Sequence, residues 1–235
     1  MGGVAVLRSY GTMLPIFLVG VVLVTLAVPR VVAYAYAAKT QSLKAQSDEA
    51  MLDLPQKITA LRSGVSWLSS DNRLQQELGE AFLAEARGAG GRDAPDTGKA
   101  SATFAEALAG APNRSLLWCL MAIANDAEGG DEERLAGYLR LNYLTGPYSD
   151  SCASARVRIA VSHWEAMPET LQERVGADIA LQWKTPAMRR PLTENYLRMN
   201  FAERVIIRRY VIGENGDSAA FDAALVATIR ARQAP

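Results

Sequence analysis

The sequence predicts an all-α protein in which one N-terminal transmembrane helix is followed by a domain of helical hairpins. Three observations support this fold class. Residues 13–28 contain no charged side chain. In the rest of the chain, apolar residues recur at intervals of three and four, and Gly, Pro and Asn interrupt them often. The best strand candidate, residues 205–207, lies within a helical period, so no sheet is expected.

Residues 10–38 are predicted to form a transmembrane signal anchor, preceded by a short tail at residues 1–9. At 1.5 Å of rise per residue, the stretch extends roughly 40 Å, enough for a hydrocarbon core of about 30 Å and both interfaces. Arg30 is expected to snorkel toward one interface, and Tyr34 and Tyr36 are suited to the same headgroup layer.

Two other interpretations of the apolar run stay open. Residues 33–35 and 35–37 satisfy the small-x-small pattern of signal-peptide cleavage, and a buried helix of a soluble protein is the third possibility. Lys39 and Lys44 follow the run, so the positive-inside rule favours a cytoplasmic domain, but the rule weakens for long translocated domains. We expect a single-pass protein of a bacterial inner membrane with its domain in the periplasm.

Charge and histidine content exclude several kinds of site. The chain balances 25 basic and 25 acidic residues, whereas nucleic-acid binding requires a basic face. It has one histidine, His163, and no zinc-binding spacing, so no metal site is expected. The acidic residues around Gly129 and Gly130 suit helix capping better than a calcium loop, because the alternating oxygen ligands are incomplete.

The chain has two cysteines, Cys119 and Cys152, which is too few for a disulfide scaffold. One bridge between them is permitted if the domain is periplasmic and the two lie on neighbouring helices. Two inert, half-buried thiols are the slightly favoured alternative.

Residues 39–70 are predicted to be a juxtamembrane helical linker, and residues 71–235 the domain. Asn72 is expected to cap the first helix of the domain, and residues 88–98 to form a flexible loop. One face of the linker helix is apolar and consists of Ile58, Leu61, Val65 and Leu68. Further helices are expected at residues 100–109, 115–127, 132–144, 151–166, 169–183, 192–212 and 218–232.

Part of the domain resembles the tetratricopeptide repeat, a helical hairpin of thirty-four residues. The small, aromatic, small and proline positions that close such a repeat are matched by Ala100, Phe104, Ala107 and Pro112. Positions of an opening helix are matched by Leu78, Gly79 and Phe82, and by Trp118, Met121 and Ala122. Ala136 and Pro147 match two positions of a second closing helix. Their spacing is about one residue short, and Arg140 stands where an aromatic residue is expected. The resemblance covers residues 70–150 and implies a degenerate, solenoid-like (TPR-like) array.

A second resemblance rests on residues 139–148 (LRLNYLTGPY), followed by a helix with Arg156, Arg158 and Trp164 and then by Met167 and Pro168. This stretch is similar to small membrane-anchored helical proteins encoded with bacterial exopolysaccharide or O-antigen export machinery. Such a resemblance implies a cellular setting rather than a chemical activity.

We expect an interaction protein with neither enzymatic activity nor a cofactor, because the serines near His163 lack a nucleophile elbow. The predicted partner contacts are Tyr196, Arg198, Arg204, Arg208 and Arg209, near the C-terminal end. The alternative is a module that binds an anionic glycan or a lipid intermediate through an aromatic platform beside these arginines, formed by Tyr196, Phe201 and Tyr210. A third hypothesis is a helical protein that is secreted into the periplasm after signal cleavage.

Overall fold

The computed structural model describes residues 3–46, 54–88, 95–147, 152–213 and 218–233. Over these residues the chain is helical, without a strand, which confirms the predicted fold class. One 3₁₀ turn, Trp164–Ala166, separates the seventh and eighth helices. The α-helices in the described part are α1 (Gly3–Gln46), α2 (Leu54–Trp67), α3 (Asn72–Gly88), α4 (Pro95–Gly110), α5 (Ser115–Glu128), α6 (Glu132–Thr145), α7 (Ala153–Ser162), α8 (Glu169–Lys184), α9 (Pro186–Tyr196), α10 (Phe201–Ile212) and α11 (Ser218–Gln233).

Helix α1 contains a stretch that is long and apolar enough to cross a membrane. Within Pro15–Ala38 the most apolar window has a mean hydropathy of 2.5, and only 6% of it is buried. A core helix of a soluble protein would be mostly buried, so this exposure disfavours that interpretation. Large apolar side chains are instead exposed along the stretch, from Ile16, at 73%, to Val31, at 67%.

Helix α2 packs in an antiparallel hairpin with α1. Gly64 contacts Ala33, since a Cβ at Gly64 would lie 3.1 Å from the Ala33 carbonyl oxygen. A parallel arrangement would separate the end of α1 from the start of α2 by roughly 35 Å, whereas the seven intervening residues, 47–53, span at most about 28 Å. Helix α2 therefore runs back toward the apolar part of α1.

The segment predicted to be a linker contributes to the main core. Ile58 and Leu61 of α2 are buried at 4% and 0% exposure, in the same cluster as Phe82 of α3. These two side chains pack α2 against the helices that follow it.

Helices α3 to α6 form two successive hairpins, α3 with α4 and α5 with α6. At the first crossing, a Cβ on Gly79 would fall 2.4 Å from Cε1 of Phe104, so only glycine lets the ring pack there. Trp118, near the start of α5, donates a 2.8 Å hydrogen bond from Nε1 to the Pro112 carbonyl oxygen. The predicted helical-hairpin arrangement is thus present in this half.

Helices α7 to α11 pack differently. Helix α8 contacts both α9 and α10, while α9 contacts α7 and α11, so neighbours in space are not always neighbours in sequence. Phe221 of α11 is fully buried, with the rings of Trp183 and Tyr196 edge-on to it at 5.3 and 5.1 Å. One continuous apolar core connects these helices with the hairpins.

The predicted single helix at residues 192–212 is wrong, because the chain breaks between α9 and α10. Asn200 accepts a hydrogen bond from the Glu203 backbone N–H at 3.0 Å, and the Glu203 carboxylate accepts one from the Asn200 N–H at 2.9 Å. This capping box satisfies two backbone donors and begins a new helix.

Two smaller predictions also need correction. Asp71, not Asn72, caps α3, since its Oδ1 accepts hydrogen bonds from the N–H groups of Arg73 and Leu74 at 2.9 and 3.0 Å. Helix α4 starts at Pro95, inside the predicted loop at residues 88–98. Proline suits the first turn of a helix, where its missing N–H costs nothing. Residues 89–94 of that loop lie outside the described residues.

Candidate functional site

The junction between α1 and the domain is built from small residues. Ala33 is fully buried and Ala37 is 8% exposed, and both pack in a cluster with Leu74 of α3. A Cβ on Gly64 would lie 3.1 Å from the Ala33 carbonyl oxygen and 3.7 Å from Cβ of Tyr36, so the glycine lets α1 and α2 approach closely. The last turns of the apolar stretch thus pack on the domain, whereas the side chains of the turns before them are exposed.

One hydrogen bond links the same junction to the cap of α3. The Tyr34 hydroxyl donates to Asp71 Oδ2 at 2.6 Å, while Asp71 Oδ1 receives the cap hydrogen bonds. Burial alone would raise the pKa of Asp71, but the hydrogen bonds from Tyr34 and from the N–H groups of Leu74 and Arg73 outweigh it and hold this pKa below its usual value.

Two of the arginines predicted to bind a partner are engaged within the domain. Arg204 donates from Nε and Nη2 to the carbonyl oxygens of Tyr196 and Leu197, both at 3.1 Å. Arg208 forms a bidentate pair with the Asp222 carboxylate, in which Nη1 donates to Oδ1 at 2.9 Å and Nη2 donates to Oδ2 at 3.1 Å. That contact raises the pKa of the Arg208 guanidinium and lowers the pKa of Asp222.

The aromatic residues of the predicted platform contact different helices. Tyr196 packs edge-on against Phe221 of α11, and Tyr210 lies 5.9 Å from the Trp164 ring. A Cβ on Gly176 of α8 would also collide with the Tyr210 ring, at 2.2 Å. Phe201, in contrast, is 83% exposed. Arg204 and Arg209 lie over the rings of Tyr196 and Tyr210, at 5.6 and 5.7 Å, so each tyrosine pairs with its own arginine and its own aromatic neighbour.

The remaining predicted contacts lie at the surface, close to an exposed apolar strip. Arg198 and Arg209 are exposed. Phe201 and Val205, at 83% and 51% exposure, occupy the same face of α10 as Arg209, because the three are spaced by four residues. We call these three residues, Phe201, Val205 and Arg209, the α10 ridge. It is the most exposed apolar feature of the described residues outside α1.

A buried ionic network, which the sequence reasoning missed, lies between α6, α7 and α8. Arg156 is 1% exposed, and its Nε and Nη2 donate to Asp178 Oδ2 at 2.9 and 2.7 Å. Its Nη1 donates to Asn142 Oδ1 at 3.0 Å, and the Tyr143 hydroxyl donates to Asp178 Oδ2 at 2.9 Å. Burial and the neighbouring Asp178 carboxylate together raise the pKa of Tyr143.

A groove of about 400 Å³ opens above this network, with Asp178 and Arg174 among its lining residues. One lining residue, Leu181, is an exposed leucine, at 42%. Asp178 already binds Arg156 and Tyr143, so its role in the groove is to hold the helices together.

The only histidine connects three helices through carboxylates. His163 Nε2 lies 3.0 Å from Asp126 Oδ1, and its Nδ1 lies 3.5 Å from Glu132 Oε1. Asp131 of the same acidic segment caps α6 by accepting from the Glu133 N–H at 2.8 Å. Among the described residues no group of three or more His, Cys, Asp and Glu side chains is arranged to hold a metal ion.

The two cysteines are joined. Cys119 of α5 and Cys152, just before α7, are 0% and 3% exposed, with Cα atoms 6.5 Å apart and a disulfide between them. The bond thereby connects the second hairpin with the C-terminal group of helices.

The chain was also compared with known proteins. No family model matches it, and neither a curated protein nor a solved structure was found to be similar. The resemblances to tetratricopeptide repeats and to proteins of polysaccharide loci consequently gain no support from these comparisons, and the chain is grouped by its observed architecture: helical hairpins behind one apolar N-terminal helix.

Proposed function

We propose that this chain is a single-pass membrane protein that holds a helical domain at the bilayer surface, where the domain binds a protein partner as a scaffold. One observation carries the proposal: α1 passes without interruption from exposed apolar turns into turns packed on the domain. Residues 15–32 extend roughly 27 Å, close to the thickness of a hydrocarbon core. The packed turns then fix the direction in which the domain leaves the membrane.

The packing at the junction favours an uncleaved anchor over a signal peptide. Cleavage after Ala35 or Ala37 would detach Ala33 from its buried position and Tyr34 from Asp71. A domain that depends on these contacts would lose stability on cleavage, whereas a signal peptide contributes nothing to the mature fold.

The disulfide supports placing the domain outside the cytoplasm, in the periplasm of a bacterium. Disulfides persist in oxidising compartments and are rare where thioredoxin and glutathione keep thiols reduced. Cys119 and Cys152 are both buried, so the bond has a structural role in the domain rather than an exposed redox role.

The α10 ridge is the proposed partner surface. Exposed aromatic and arginine side chains are enriched at protein interfaces, and Phe201 and Val205 gain most from being covered. The positive charge of Arg209, with exposed Arg198 nearby in sequence, suits a partner that has an apolar pocket bordered by acidic side chains. An envelope polysaccharide assembly or export complex remains the setting implied by resemblance alone.

A protein partner is favoured over the alternative of an anionic glycan or lipid intermediate. Sugar recognition by stacking needs flat aromatic faces that are accessible, and Tyr196 and Tyr210 already pack against Phe221 and Trp164. Arg204 and Arg208 are likewise held by carbonyl oxygens and by Asp222.

Membrane attachment is tested on the full chain expressed in bacteria. We expect it to stay in the pellet after alkaline carbonate extraction, with an intact mass that includes residues 1–38. Leu23→Lys should lower the retained fraction, because a charge near mid-bilayer costs about 3 kcal/mol. An intact mass that begins at Tyr36 or Ala38 would show a cleaved signal and overturn the anchor.

Partner binding is tested by a photocrosslinking amino acid placed at position 201 in native membranes. We expect one dominant crosslinked protein, whose yield falls at least tenfold with Val205→Glu. A crosslinker at Val226, an exposed apolar residue of α11, is the matched control and should not capture it. Equal capture from both positions would contradict the α10 ridge as a specific surface.

A further inference from the structure

We propose that Trp67 and the turn that follows it, residues 68–71, insert into the headgroup layer of the same bilayer that holds α1. The domain would then be attached to the membrane at two points. The inference rests on the proposed membrane anchor and adds a second lipid contact, made by the domain itself.

The antiparallel hairpin sets the depth of Trp67. Gly64 lies beside Ala33 and Tyr36, and α2 continues from there toward the N-terminal end of α1. Three residues further, Trp67 is displaced by roughly 4.5 Å and reaches the level of residues 31–32. Those residues mark the end of the exposed apolar run, so Trp67 lies where hydrocarbon gives way to headgroups.

The side chain at this depth suits the interface. Trp67 is 50% exposed at the last position of α2, although a ring of its size is normally covered in a soluble domain. Indole prefers the membrane–water boundary, because its apolar rings enter the lipid while its N–H stays hydrogen-bonded. Tyr34 and Tyr36, at 44% and 37% exposure, lie on the adjacent turns of α1 and extend the same aromatic belt.

The turn after Trp67 carries no free negative charge that would oppose insertion. Ser69 and Ser70 are small and exposed, and Leu68 packs on the α1 junction. Asp71 is the one acidic residue in the turn, and its two oxygens accept hydrogen bonds from Tyr34 and from backbone N–H groups. Its carboxylate therefore needs less water than a free one would.

Tryptophan fluorescence of the full chain in vesicles tests the proposal. The vesicles contain phosphatidylcholine brominated either near the glycerol end or near the methyl end of the acyl chains. We expect the shallow bromines to quench more strongly, and Trp67→Phe to remove more than half of the quenched intensity. A thermal melt of each variant confirms that the fold is retained.

Trp164→Phe is the matched control. Gly110, which precedes α5, packs on Asn72 beside the turn, so the start of α5 is near the turn. Trp164 is at the other end of α5, because the preceding residue, His163, contacts Asp126 there. The fourteen residues of α5 separate the two ends by roughly 20 Å. Replacing Trp164 should therefore leave the quenched fraction unchanged.

The two proposals fail in different ways. If the chain resists alkaline extraction from the vesicles but the Trp67→Phe variant is quenched as strongly as the unmodified chain, the second attachment point is wrong and the anchor stands. If the chain is released by extraction, both proposals are overturned.

Discussion

Arg156 and Asp178 form a salt bridge of 2.7 Å in which both side chains are almost fully buried, at 1% and 6% exposure. The arginine lies on α7 and the aspartate on α8, so the pair fixes how these helices cross. Burying two charges is costly, and the network compensates by satisfying Arg156 further with Asn142 and with the Pro147 carbonyl oxygen.

Removing one partner of this pair should destabilise the domain strongly. Asp178→Ala leaves the Arg156 charge buried without its counter-ion, and we expect the free energy of unfolding to fall by about 3–5 kcal/mol. Urea unfolding of the full chain in detergent, followed by circular dichroism, measures it. Arg190→Ala, which breaks the exposed pair with Glu194, should cost at most about 1 kcal/mol. Equal effects of the two variants would contradict a buried network.

The junction between α1 and α3 should weaken in acid. The pKa of Asp71 is lower in the folded chain than in the unfolded one, so its contribution is complete above the unfolded value of 3.8 and is lost as pH falls through the folded value. Thermal melts of the unmodified chain and of Asp71→Asn should differ between pH 5 and pH 7 and converge as the pH falls through the folded-state pKa of Asp71, which lies below 3.8. A difference that is constant across this range would show that the charge is irrelevant.

Two glycines in helices should respond to alanine in opposite directions. Gly79→Ala forces its methyl group into the Phe104 ring, and we expect a loss of about 1–3 kcal/mol in unfolding free energy. Gly137→Ala in α6 meets nothing within 4 Å and should gain up to about 1 kcal/mol from helix propensity. Denaturant melts give both values. A stable Gly79→Ala variant would mean that α3 and α4 cross at a greater distance.

The disulfide should contribute to stability through the loop it closes. Cys119 and Cys152 are separated by 33 residues, and closing a loop of this length restricts the unfolded chain by roughly 3–4 kcal/mol. The Cys119→Ala, Cys152→Ala double variant should therefore melt at lower temperature and show no further change with reductant. Alkylation with a maleimide under denaturing conditions, with and without reductant, reports whether the bond forms in the cell.

Helices and their hairpins followed from sequence because local patterns determine them. The apolar run that became α1 and the Gly and Pro residues between helices needed no tertiary information. The break before α10 is also local, but the Asn200–Glu203 capping box is short and the apolar period continues across it, so the sequence pattern predicts one helix.

The roles of the arginines could not be read in the same way. Arg156 is a charged side chain on the buried face of α7, and its partner Asp178 is 22 residues away on another helix. Arg204 is engaged because α9 ends before residue 200, where the carbonyl oxygens of Tyr196 and Leu197 accept hydrogen bonds from its guanidinium. Among the arginines predicted to contact a partner, only the fold distinguishes the exposed Arg198 and Arg209 from Arg204 and Arg208, which bind groups within the domain.

In the proposed single-pass protein, the continuity of α1 would also couple the domain to the thickness of the bilayer. Transmembrane helices tilt when their apolar length exceeds the hydrocarbon thickness. Because Ala33 and Ala37 are packed on the domain, a change in tilt would turn the whole domain with the helix. Lipid composition, through bilayer thickness, would then determine the direction in which the α10 ridge faces.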